Sequence, residues 1–280
     1  MKTPEIVTTI ATLRSRIAAW RKEGARVGLV PTMGALHEGH LALVRQTRER
    51  CDRIAVSIFV NPAQFAPGED FDRYPKMLES DLEKLGPTAD LVFTPPVSEM
   101  YPEGFATRVE VTGPALGLET EFRPQFFAGV ATIVTKLLLA TLPDMAMFGE
   151  KDFQQLLVVR RLVRDLALPI EIAGGLIVRE ADGLALSSRN VYLNPHERKI
   201  AGTLNLMLKD VAGRARSGDC VAEAEAGGLE ALLEAGFEAV DYVAVRNAET
   251  LAPLRHAREP ARVLAAARVG KTRLIDNMAV

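Results

Sequence analysis

The chain has 280 residues, 48% hydrophobic and 25% charged, a length and composition typical of a globular protein with a large core and room for two domains. Its formal net charge of −2 gives no electrostatic reason to expect nucleic acid or an anionic membrane surface as a partner. The two cysteines, Cys51 and Cys220, lie far apart in the sequence, which argues against a disulfide framework and against a zinc site built on cysteine pairs.

Residues 1–20 contain no apolar segment of the signal-peptide kind, because Arg14 and Arg16 interrupt them. No stretch of the chain approaches the ~20 apolar residues that a membrane-spanning helix needs. We therefore expect a cytoplasmic protein without a membrane partner.

The first part of the chain alternates predicted helices and strands. An opening helix ends at Gly24, and a strand, a turn, a helix and a second strand follow it. A βαβ unit of this kind predicts a parallel sheet. The predicted elements are, in order, helix 5–23, strand 26–30, helix 41–51, strand 53–60, strand 90–93, helix 128–142, strand 144–149 and helix 152–168.

The pattern changes after residues 169–183. Helices are predicted at 196–216 and 221–236, and three short apolar segments follow them, "YVAV", "RVLAAARV" and "RLIDNM". We predict an α/β protein in which residues 1–176 form a Rossmann-like parallel-sheet domain and residues 177–280 form a second, smaller α+β domain.

The segment "VPTMGALHEGH" (30–40) joins a buried strand to a helix. Ligands of parallel α/β sheets bind at the carboxyl ends of the strands, and the amides of a helix N-terminus favour an anion, so this loop predicts a phosphate-binding site. Gly34 and Gly39 have nearly the spacing of a Walker motif, but His40 and Leu41 stand where that motif has its lysine and hydroxyl residue. The dinucleotide fingerprint GxGxxG is absent from the chain.

His37 and His40 are two of only four histidines and lie three residues apart, so both imidazoles project to one side of the first helical turn. One interpretation is a metal site, although its usual spacing is i, i+4 and no nearby His or Cys supplies a third ligand. A second is a pair of donors to phosphate oxygens that stabilise charge as a nucleotide reacts. A third is two histidines whose hydrogen bonds are purely local.

Two further polar clusters follow predicted strands. In "FVNPAQF" (59–65), Asn61 and Gln64 suit a substrate with a carboxylate and hydroxyls, or else they are a loop cap and a surface glutamine. In "FGEKDFQQL" (148–156), Lys151 can reach a phosphate as a mobile charge, or else it forms a surface pair with Asp152. Asp152 could cap the following helix or hold a ribose.

A fourth cluster, "DGLALSSRN" (182–190), lies just beyond the predicted domain boundary. Its two serines and Arg189 form a short polar cluster of hydroxyl donors and one guanidinium, and serine also favours a turn or a helix cap. The position suggests that the second domain closes over a nucleotide and excludes water from a reactive intermediate.

These segments together resemble a known family. "HEGH" after a buried strand resembles the HxGH signature of the nucleotidylyl-transferase superfamily. With "SIFVNPAQF", "FGEKDFQQL" and "DGLALSSRN" in the same order, the chain resembles the pantoate–β-alanine ligase family from about residue 25 to the closing "RLIDN". The resemblance implies ATP-dependent condensation of (R)-pantoate with β-alanine through a pantoyl adenylate, with release of AMP and pyrophosphate, Mg²⁺ as cofactor and a homodimer.

The resemblance also implies roles for individual residues. It makes His37, His40, Lys151 and Arg189 catalytic, Gln64 and Gln155 pantoate-binding, and Gln64 also β-alanine-binding. The implied ATP-binding residues are Met33, Gly34, Ala35, Leu36, His37, Glu38, Gly39, His40, Gly149, Glu150, Lys151, Asp152, Val178 (beside the adenine), Leu186, Ser187, Ser188 and Arg189.

Two positions depart from the family pattern. "RPQFF" (123–127) has Gln125 and Phe126 where the family usually has glycine and histidine, and Leu176 stands where the family often has proline. Two other functions remain open. One is a nucleotidyltransferase acting on a phosphate-bearing substrate, which would need a basic pocket for the second phosphate. The other is a catalytically silent relative that binds ATP and releases no pyrophosphate.

Overall fold

The N-terminal part is built on a parallel sheet. The computed structural model describes residues 3–66, 68–69, 71–75, 77–258 and 260–280. Within these residues six strands pair in the order β1-β4-β3-β2-β5-β6, and every pairing between them is parallel. The strands are β1 (Glu5–Val7), β2 (Val27–Thr32), β3 (Arg53–Ile58), β4 (Leu91–Phe93), β5 (Met145–Gly149) and β6 (Glu171–Gly175).

Helices of the N-terminal part cover both faces of this sheet. The last two helices belong to the separate C-terminal part. Apolar residues at helical spacing predicted the longer ones to within a few residues. The helices are α1 (Ile10–Lys22), α2 (Glu38–Arg48), α3 (Leu78–Leu85), α4 (Val97–Met100), α5 (Glu119–Phe122), α6 (Phe126–Thr141), α7 (Phe153–Asp165), α8 (Pro195–Ser217) and α9 (Val221–Glu234).

Successive residues of the central strands enter different cores. Leu29 packs in a cluster with α1 and α6, whereas Val30 packs in a second cluster on the α2 side of the sheet. Both side chains are at most 1% exposed. A sheet buried on both faces needs nearly continuous apolar strands, which is why residues 27–30 and, apart from Ser57, residues 54–60 carry no polar side chain.

The strand order creates a crevice at the carboxyl edge of the sheet. The chain runs outward from β2 through β3 to β4, then crosses back so that β5 pairs with the other side of β2. Ligands of open α/β sheets bind where the strand order reverses in this way. The loops after β2, β5 and β3 carry three of the four predicted polar clusters, so the topology brings these clusters to one place.

The C-terminal part has a different architecture. Helices α8 and α9 pack against an antiparallel sheet of β7 (Ala239–Asn247), β8 (Ala261–Val269) and β9 (Thr272–Ala279), around a core of their own. Ala244 and Leu264 of this sheet also join the larger core of the N-terminal part. The predicted α/β class, with a parallel sheet followed by a smaller α+β unit, is confirmed.

The prediction of a helix over residues 5–23 is wrong at its beginning. Residues Glu5–Val7 form the edge strand β1, which pairs in parallel with Leu91–Phe93. The helix starts only at Ile10, after Thr9 accepts a hydrogen bond of 3.2 Å from the amide of Thr12. Three apolar-rich residues beside a helical pattern do not distinguish a short strand from an extra helical turn, whereas the capping threonine was a usable signal.

Candidate active site

A cavity of about 1160 Å³ lies at the carboxyl edge of the parallel sheet, and residues of the C-terminal part line its other side. All four predicted polar clusters contribute to its wall. The predicted site residues that line it are Met33, His37, Gly39, His40, Gln64, Gly149, Lys151, Asp152, Gln155, Val178, Leu186, Ser187, Ser188 and Arg189.

Five predicted ATP-binding residues do not line this cavity. Glu38 is paired instead with Arg45 on the exposed face of α2. Glu150 forms a 3.0 Å ion pair with Arg262 of β8. The residues that we therefore leave out of the proposed ATP contacts are Gly34, Ala35, Leu36, Glu38 and Glu150.

Asp81 of α3 explains why the middle of the glycine loop is not available to a ligand. Its fully buried carboxylate accepts hydrogen bonds from the amides of Ala35 (2.9 Å) and Leu36 (2.7 Å). Gly34 and Ala35 both have positive φ angles, +85° and +49°, and consecutive amides in such a turn form an anion-binding nest. The anion in this nest is Asp81, so the loop is held by its own protein and not by phosphate.

The two histidines begin α2 and hold each other in place. His37 is the N-cap, and its Nδ1 accepts a hydrogen bond of 3.2 Å from the amide of Gly39. His40 reaches back, and its Nδ1 accepts a hydrogen bond of 3.3 Å from the amide of His37. This is a capping box made from two imidazoles whose ring centroids are 4.1 Å apart.

The capping bonds determine the tautomer of both rings. Because each Nδ1 accepts from a backbone N–H, each neutral ring carries its proton on Nε2. Each Nε2–H is then the donor left for the cavity that both rings line. The purely local hydrogen bonds of the third interpretation are therefore present. They also orient the Nε2–H groups that the second interpretation requires as donors to phosphate oxygens.

Both histidines are held in the neutral form. Burial is the main cause that lowers the pKa of His37 to about 4, and Lys151 lowers it further. Burial also lowers the pKa of His40 to about 3, with His37 and Lys151 adding to the effect. Near neutral pH the pair is uncharged and donates hydrogen bonds without competing with Lys151 as a cation.

Gly39 is required by the ring of His37. A Cβ at position 39 would lie 2.9 Å from Cε1 of His37, closer than real Cβ atoms approach, and 3.0 Å from its Nδ1, which is also a tight contact. The glycine in "HEGH" therefore leaves room for the capping imidazole.

Gln64 and Asn61 have different functions in the second cluster. Asn61 is 1% exposed and caps the 3₁₀ turn Pro62–Gln64 through the amide of Ala63 at 3.3 Å, as the loop-cap interpretation predicts. Gln64 lies on the cavity wall, where its Oε1 accepts from Asn61 Nδ2 at 3.0 Å. The carboxamide nitrogen of Gln64 lies 3.0 Å from the sulfur of Met33, a weak acceptor that a better one could replace.

Lys151 lies in a 3₁₀ turn, Glu150–Asp152, between β5 and α7. Its side chain is only 20% exposed. The distance of 3.9 Å between its Nζ and Asp152 Oδ1 is long for an ion pair, so the surface pair of the sequence analysis is weak. The carboxylate of Asp152 makes no capping hydrogen bond to α7. Both groups, with Gln155 one turn along α7, line the cavity.

The segment Ser187–Arg189 lines the cavity. Ser187 accepts a hydrogen bond of 3.2 Å from the amide of Arg189, so the turn-and-cap interpretation applies to this serine. Ser188 donates a hydrogen bond of 3.1 Å to the carbonyl of Ala35 and so joins the segment to the glycine loop. The guanidinium of Arg189 lies 5.9 Å from the ring centroid of Tyr74, across the cavity mouth.

Comparisons with known proteins identify the family of the chain. The family model described as "Pantoate-beta-alanine ligase" matches residues 5–279. The chain belongs to the pantoate–β-alanine ligase family. It is similar to pantothenate synthetase of Mesorhizobium japonicum, with 55% identity over 100% of this chain and 99% of the relative.

Two solved structures extend the similarity to the fold. Pantothenate synthetase from Thermus thermophilus is 52% identical, with a TM-score of 0.91 over 98% of each chain. Pantoate-beta-alanine ligase from Francisella tularensis, complexed with beta-gamma ATP and beta-alanine, is 31% identical, with a TM-score of 0.83 over 99% of this chain and 97% of that one.

One wall of the cavity was not predicted from the sequence. Glu119, which is 4% exposed, binds Arg273 of β9 and accepts a hydrogen bond of 3.2 Å from the hydroxyl of Tyr242. Arg273 also pairs with Asp241 at 2.6 Å. The partners of Glu119 are far from it in sequence, and single charged residues in "GLETEF" and "TRLID" carry no motif that could have paired them.

The departure at "RPQFF" lies beside this wall. Arg123 pairs with Glu69 at 2.7 Å and stacks over the ring of Phe126 at 3.9 Å. Phe126 lines the cavity and Gln125 does not. Phe126 therefore packs against Arg123 at the cavity wall.

The described residues contain no helix long and apolar enough to cross a lipid bilayer. Among the same residues, no three His, Cys, Asp or Glu side chains meet in an arrangement that could hold a metal ion. The metal-site interpretation of His37 and His40 therefore has no geometric support, since each Nδ1 already accepts a backbone hydrogen bond.

Proposed function

We propose that this chain joins (R)-pantoate to β-alanine in two steps, through a pantoyl adenylate, with release of pyrophosphate and then AMP. The observation that carries the proposal is the pair of neutral imidazoles at the start of α2, which share one cavity wall with Lys151 and Arg189. Membership of the family supports the overall reaction, and the arrangement of donors supports adenylation as its first step.

In the first step an oxygen of the pantoate carboxylate attacks the α-phosphorus of ATP. The bond from this phosphorus to the bridging oxygen breaks, and negative charge moves onto the departing pyrophosphate. Donors that are already oriented stabilise such charge most effectively, because no reorganisation is needed as the reaction proceeds. We assign this role to the Nε2–H groups of His37 and His40 and to the cations of Lys151 and Arg189.

In the second step the amine of β-alanine attacks the acyl carbon of the adenylate. A carbon–nitrogen bond forms, the carbon–oxygen bond to AMP breaks, and the amine loses a proton. Closure of the cavity by Ser187–Arg189 excludes water, which would otherwise hydrolyse the activated acid. The hydrogen bond between Ser188 and the carbonyl of Ala35 supports this arrangement.

Pantoate and β-alanine are assigned to one part of the cavity and the nucleotide to another. We assign pantoate to Gln64 and Gln155, whose carboxamides can donate to a carboxylate and accept from hydroxyls, and β-alanine to the neighbourhood of Gln64. The adenine lies beside Val178 and Leu186, while Asp152 is available to the ribose. Met33, Gly39, Gly149 and the Ser187–Arg189 segment complete the proposed nucleotide contacts.

Mg²⁺ enters this proposal as part of the ATP substrate. The described part of the chain presents no cluster of metal-ligating side chains, and Mg²⁺ commonly binds through substrate phosphates and water. We therefore assign no protein ligand to the ion.

We retain the division into residues 1–176, which bind pantoate and nucleotide, and residues 177–280, which act as a lid. The supporting feature is the segment after β6, where Leu176 is 71% exposed and the chain leaves the parallel sheet. A homodimer is a prediction that follows from the family resemblance, and the cytoplasm is a prediction from the sequence alone.

The half-reactions test the proposal. Purified protein with ATP, Mg²⁺ and pantoate, without β-alanine, should exchange labelled pyrophosphate into ATP, and omission of pantoate should abolish this exchange. Addition of β-alanine should release AMP and pantothenate in equal amounts. Exchange with a phosphate ester but not with pantoate would indicate a nucleotidyltransferase. Tight ATP binding with no exchange for any acid would indicate a silent relative.

A further inference from the structure

The strand β9 of the C-terminal sheet reaches the turn that carries Lys151. Asn277 on this strand is 1% exposed. Its Nδ2 donates to the carbonyl of Glu150 at 2.9 Å and to the carbonyl of Lys151 at 2.8 Å. Two carbonyl acceptors at hydrogen-bonding distance identify this end of the carboxamide as the nitrogen.

These two hydrogen bonds act on the backbone conformation of Lys151. The carbonyl of Glu150 belongs to the peptide plane before the Lys151 Cα, and the carbonyl of Lys151 belongs to the plane after it. Peptide planes are rigid, and only φ and ψ at the shared Cα relate one plane to the next. A single side chain that holds both carbonyls therefore holds both dihedral angles of Lys151 and, with them, the direction in which its side chain leaves the turn.

Asn277 is itself held firmly. The neighbouring Asp276, 2% exposed, forms a bidentate pair with Arg179 at 2.6 and 3.0 Å. Arg179 also donates to the carbonyl of Asn277 at 3.1 Å. Arg179 follows Val178, which lines the cavity. The adjacent residues Asp276 and Asn277 of β9 therefore contact both the segment of Val178 and the turn of Lys151.

A second contact joins the same sheet to the same turn. Arg262 of β8 pairs with Glu150 at 3.0 Å, and its guanidinium lies 3.9 Å from the ring centroid of Phe153. The turn Glu150–Asp152 is thus held by two strands of the C-terminal sheet. The hydrogen bonds of Asn277 are the ones that act directly on the backbone at Lys151.

We propose that Asn277 is a positioning residue for adenylation, which fixes the backbone of Lys151 so that its ammonium group meets the phosphates of ATP. Asn277 also lines the cavity, and in this proposal it acts on the reaction through the backbone of Lys151. This inference rests on the function proposed for Lys151. It gives the C-terminal sheet a part in the first chemical step in addition to closing the cavity.

A double-mutant cycle tests the inference, with pantoate-dependent pyrophosphate–ATP exchange as the readout at saturating ATP and pantoate. Asn277→Ala removes both donors. We expect Asn277→Ala to lower exchange about 10- to 100-fold, because small misplacements of a catalytic group cost up to about 10²-fold. In a Lys151→Ala background the same change should have less than a twofold effect, because the side chain that it positions is gone.

The matched control is Asn247→Ala. Asn247 caps a turn beyond β7 through the amides of Glu249 and Thr250, at 2.9 and 3.0 Å, and does not line the cavity. The Asn247→Ala variant should have a lower melting temperature and, below that temperature, an unchanged rate of pyrophosphate–ATP exchange. An Asn277 effect of equal size in the Lys151→Ala background would overturn the inference, because it would show a purely structural role. If Lys151→Ala by itself left exchange intact, the proposed function of Lys151 would fail instead.

Discussion

Asp81 on α3 and Leu36 in the glycine loop are joined by a hydrogen bond of 2.7 Å, in which the buried carboxylate accepts from the backbone amide. The amide of Ala35 binds the other carboxylate oxygen at 2.9 Å. The loop that leads to His37 is therefore shaped by an acidic side chain 45 residues further along the chain. Burial raises the pKa of Asp81, and these two amides oppose that effect.

We expect Asp81→Asn to loosen this loop. The new carboxamide has one acceptor, and its NH₂ group would face a backbone N–H, so one buried donor loses its partner at a cost of about 1–3 kcal/mol. The melting temperature should fall, and adenylation should slow with it because the loop positions both histidines. Glu79→Gln, on an exposed position of the same helix, is the matched control and should change neither quantity. An Asp81→Asn protein with normal melting and normal exchange would contradict this account of the loop.

Lys151→Ala should reduce turnover far more than stability. The lysine lies in a turn, and its Nζ is 3.9 Å from Asp152 Oδ1, so its removal costs little folding energy. The measurements are kcat for pantothenate formation and the melting temperature. Lys22→Ala, at an exposed site on α1, controls for loss of charge. A large drop in melting temperature with nearly normal activity would assign Lys151 to structure.

The change Gln125→Gly with Phe126→His restores the usual family residues. Phe126 supports Arg123 by a stacking contact at 3.9 Å, which is worth about 0.5–2 kcal/mol for a partly buried pair. We expect the Michaelis constant for pantoate or β-alanine to change by up to about tenfold, while the burst of adenylate formation keeps its rate. Gln125→Gly alone is the control, since Gln125 lies off the cavity. A gain of several orders of magnitude in turnover would show that the natural chain is a degraded relative.

His40→Ala should lose adenylation, because it removes an oriented donor and such a donor typically contributes about 10²–10³-fold in rate. It also removes the acceptor for the amide of His37. His40→Gln restores an acceptor at that position and separates the two effects: stability should recover, and the rate should not recover fully. His256→Ala, at an exposed site, is the control. Pre-steady-state adenylate formation within a few-fold of the parent would remove His40 from the mechanism.

The sequence predicts that His37, Lys151 and Gln64 lie near one another, because each is in a loop after a buried strand and strand ends in a parallel sheet converge on one edge. The roles of these residues follow from the family resemblance and not from this placement. Asp81, Asn277 and Arg273 could not be predicted. Each acts on a group that is distant in sequence, through a hydrogen bond or ion pair that exists only once the chain has folded.

The same distinction explains the differences in the fold. Long apolar segments at helical spacing gave correct helices, since burial of one face determines them. The edge strand Glu5–Val7 depends on pairing with Leu91–Phe93, and periodicity does not report pairing. The five predicted ATP contacts that lie off the cavity were expected as parts of continuous binding segments. Gly34, Ala35 and Leu36 lie in the loop that is bound to Asp81, whereas Glu38 and Glu150 form ion pairs with other residues.

The two histidines also predict how stability depends on pH. Their folded pKa values, about 4 for His37 and about 3 for His40, lie below the ordinary value of 6.5. As pH falls below about 6.5, the unfolded chain binds protons that the folded chain does not, so the free energy of unfolding decreases. The decrease is at most about 1.4 kcal/mol per histidine for each pH unit, and it continues until the folded rings titrate.

Urea unfolding at pH 7.0, 6.5, 5.5 and 5.0 measures this dependence in a range where most carboxylates stay ionised. The double variant His37→Gln with His40→Gln should have a flatter profile than the parent between pH 6.5 and 5.0, because two groups with depressed pKa values are gone. His196→Gln with His256→Gln removes the two exposed histidines and should keep the parental slope. If the cavity variant kept the parental slope as well, the rings of His37 and His40 would not be held neutral, and their proposed role as uncharged donors to the phosphates would fail with it.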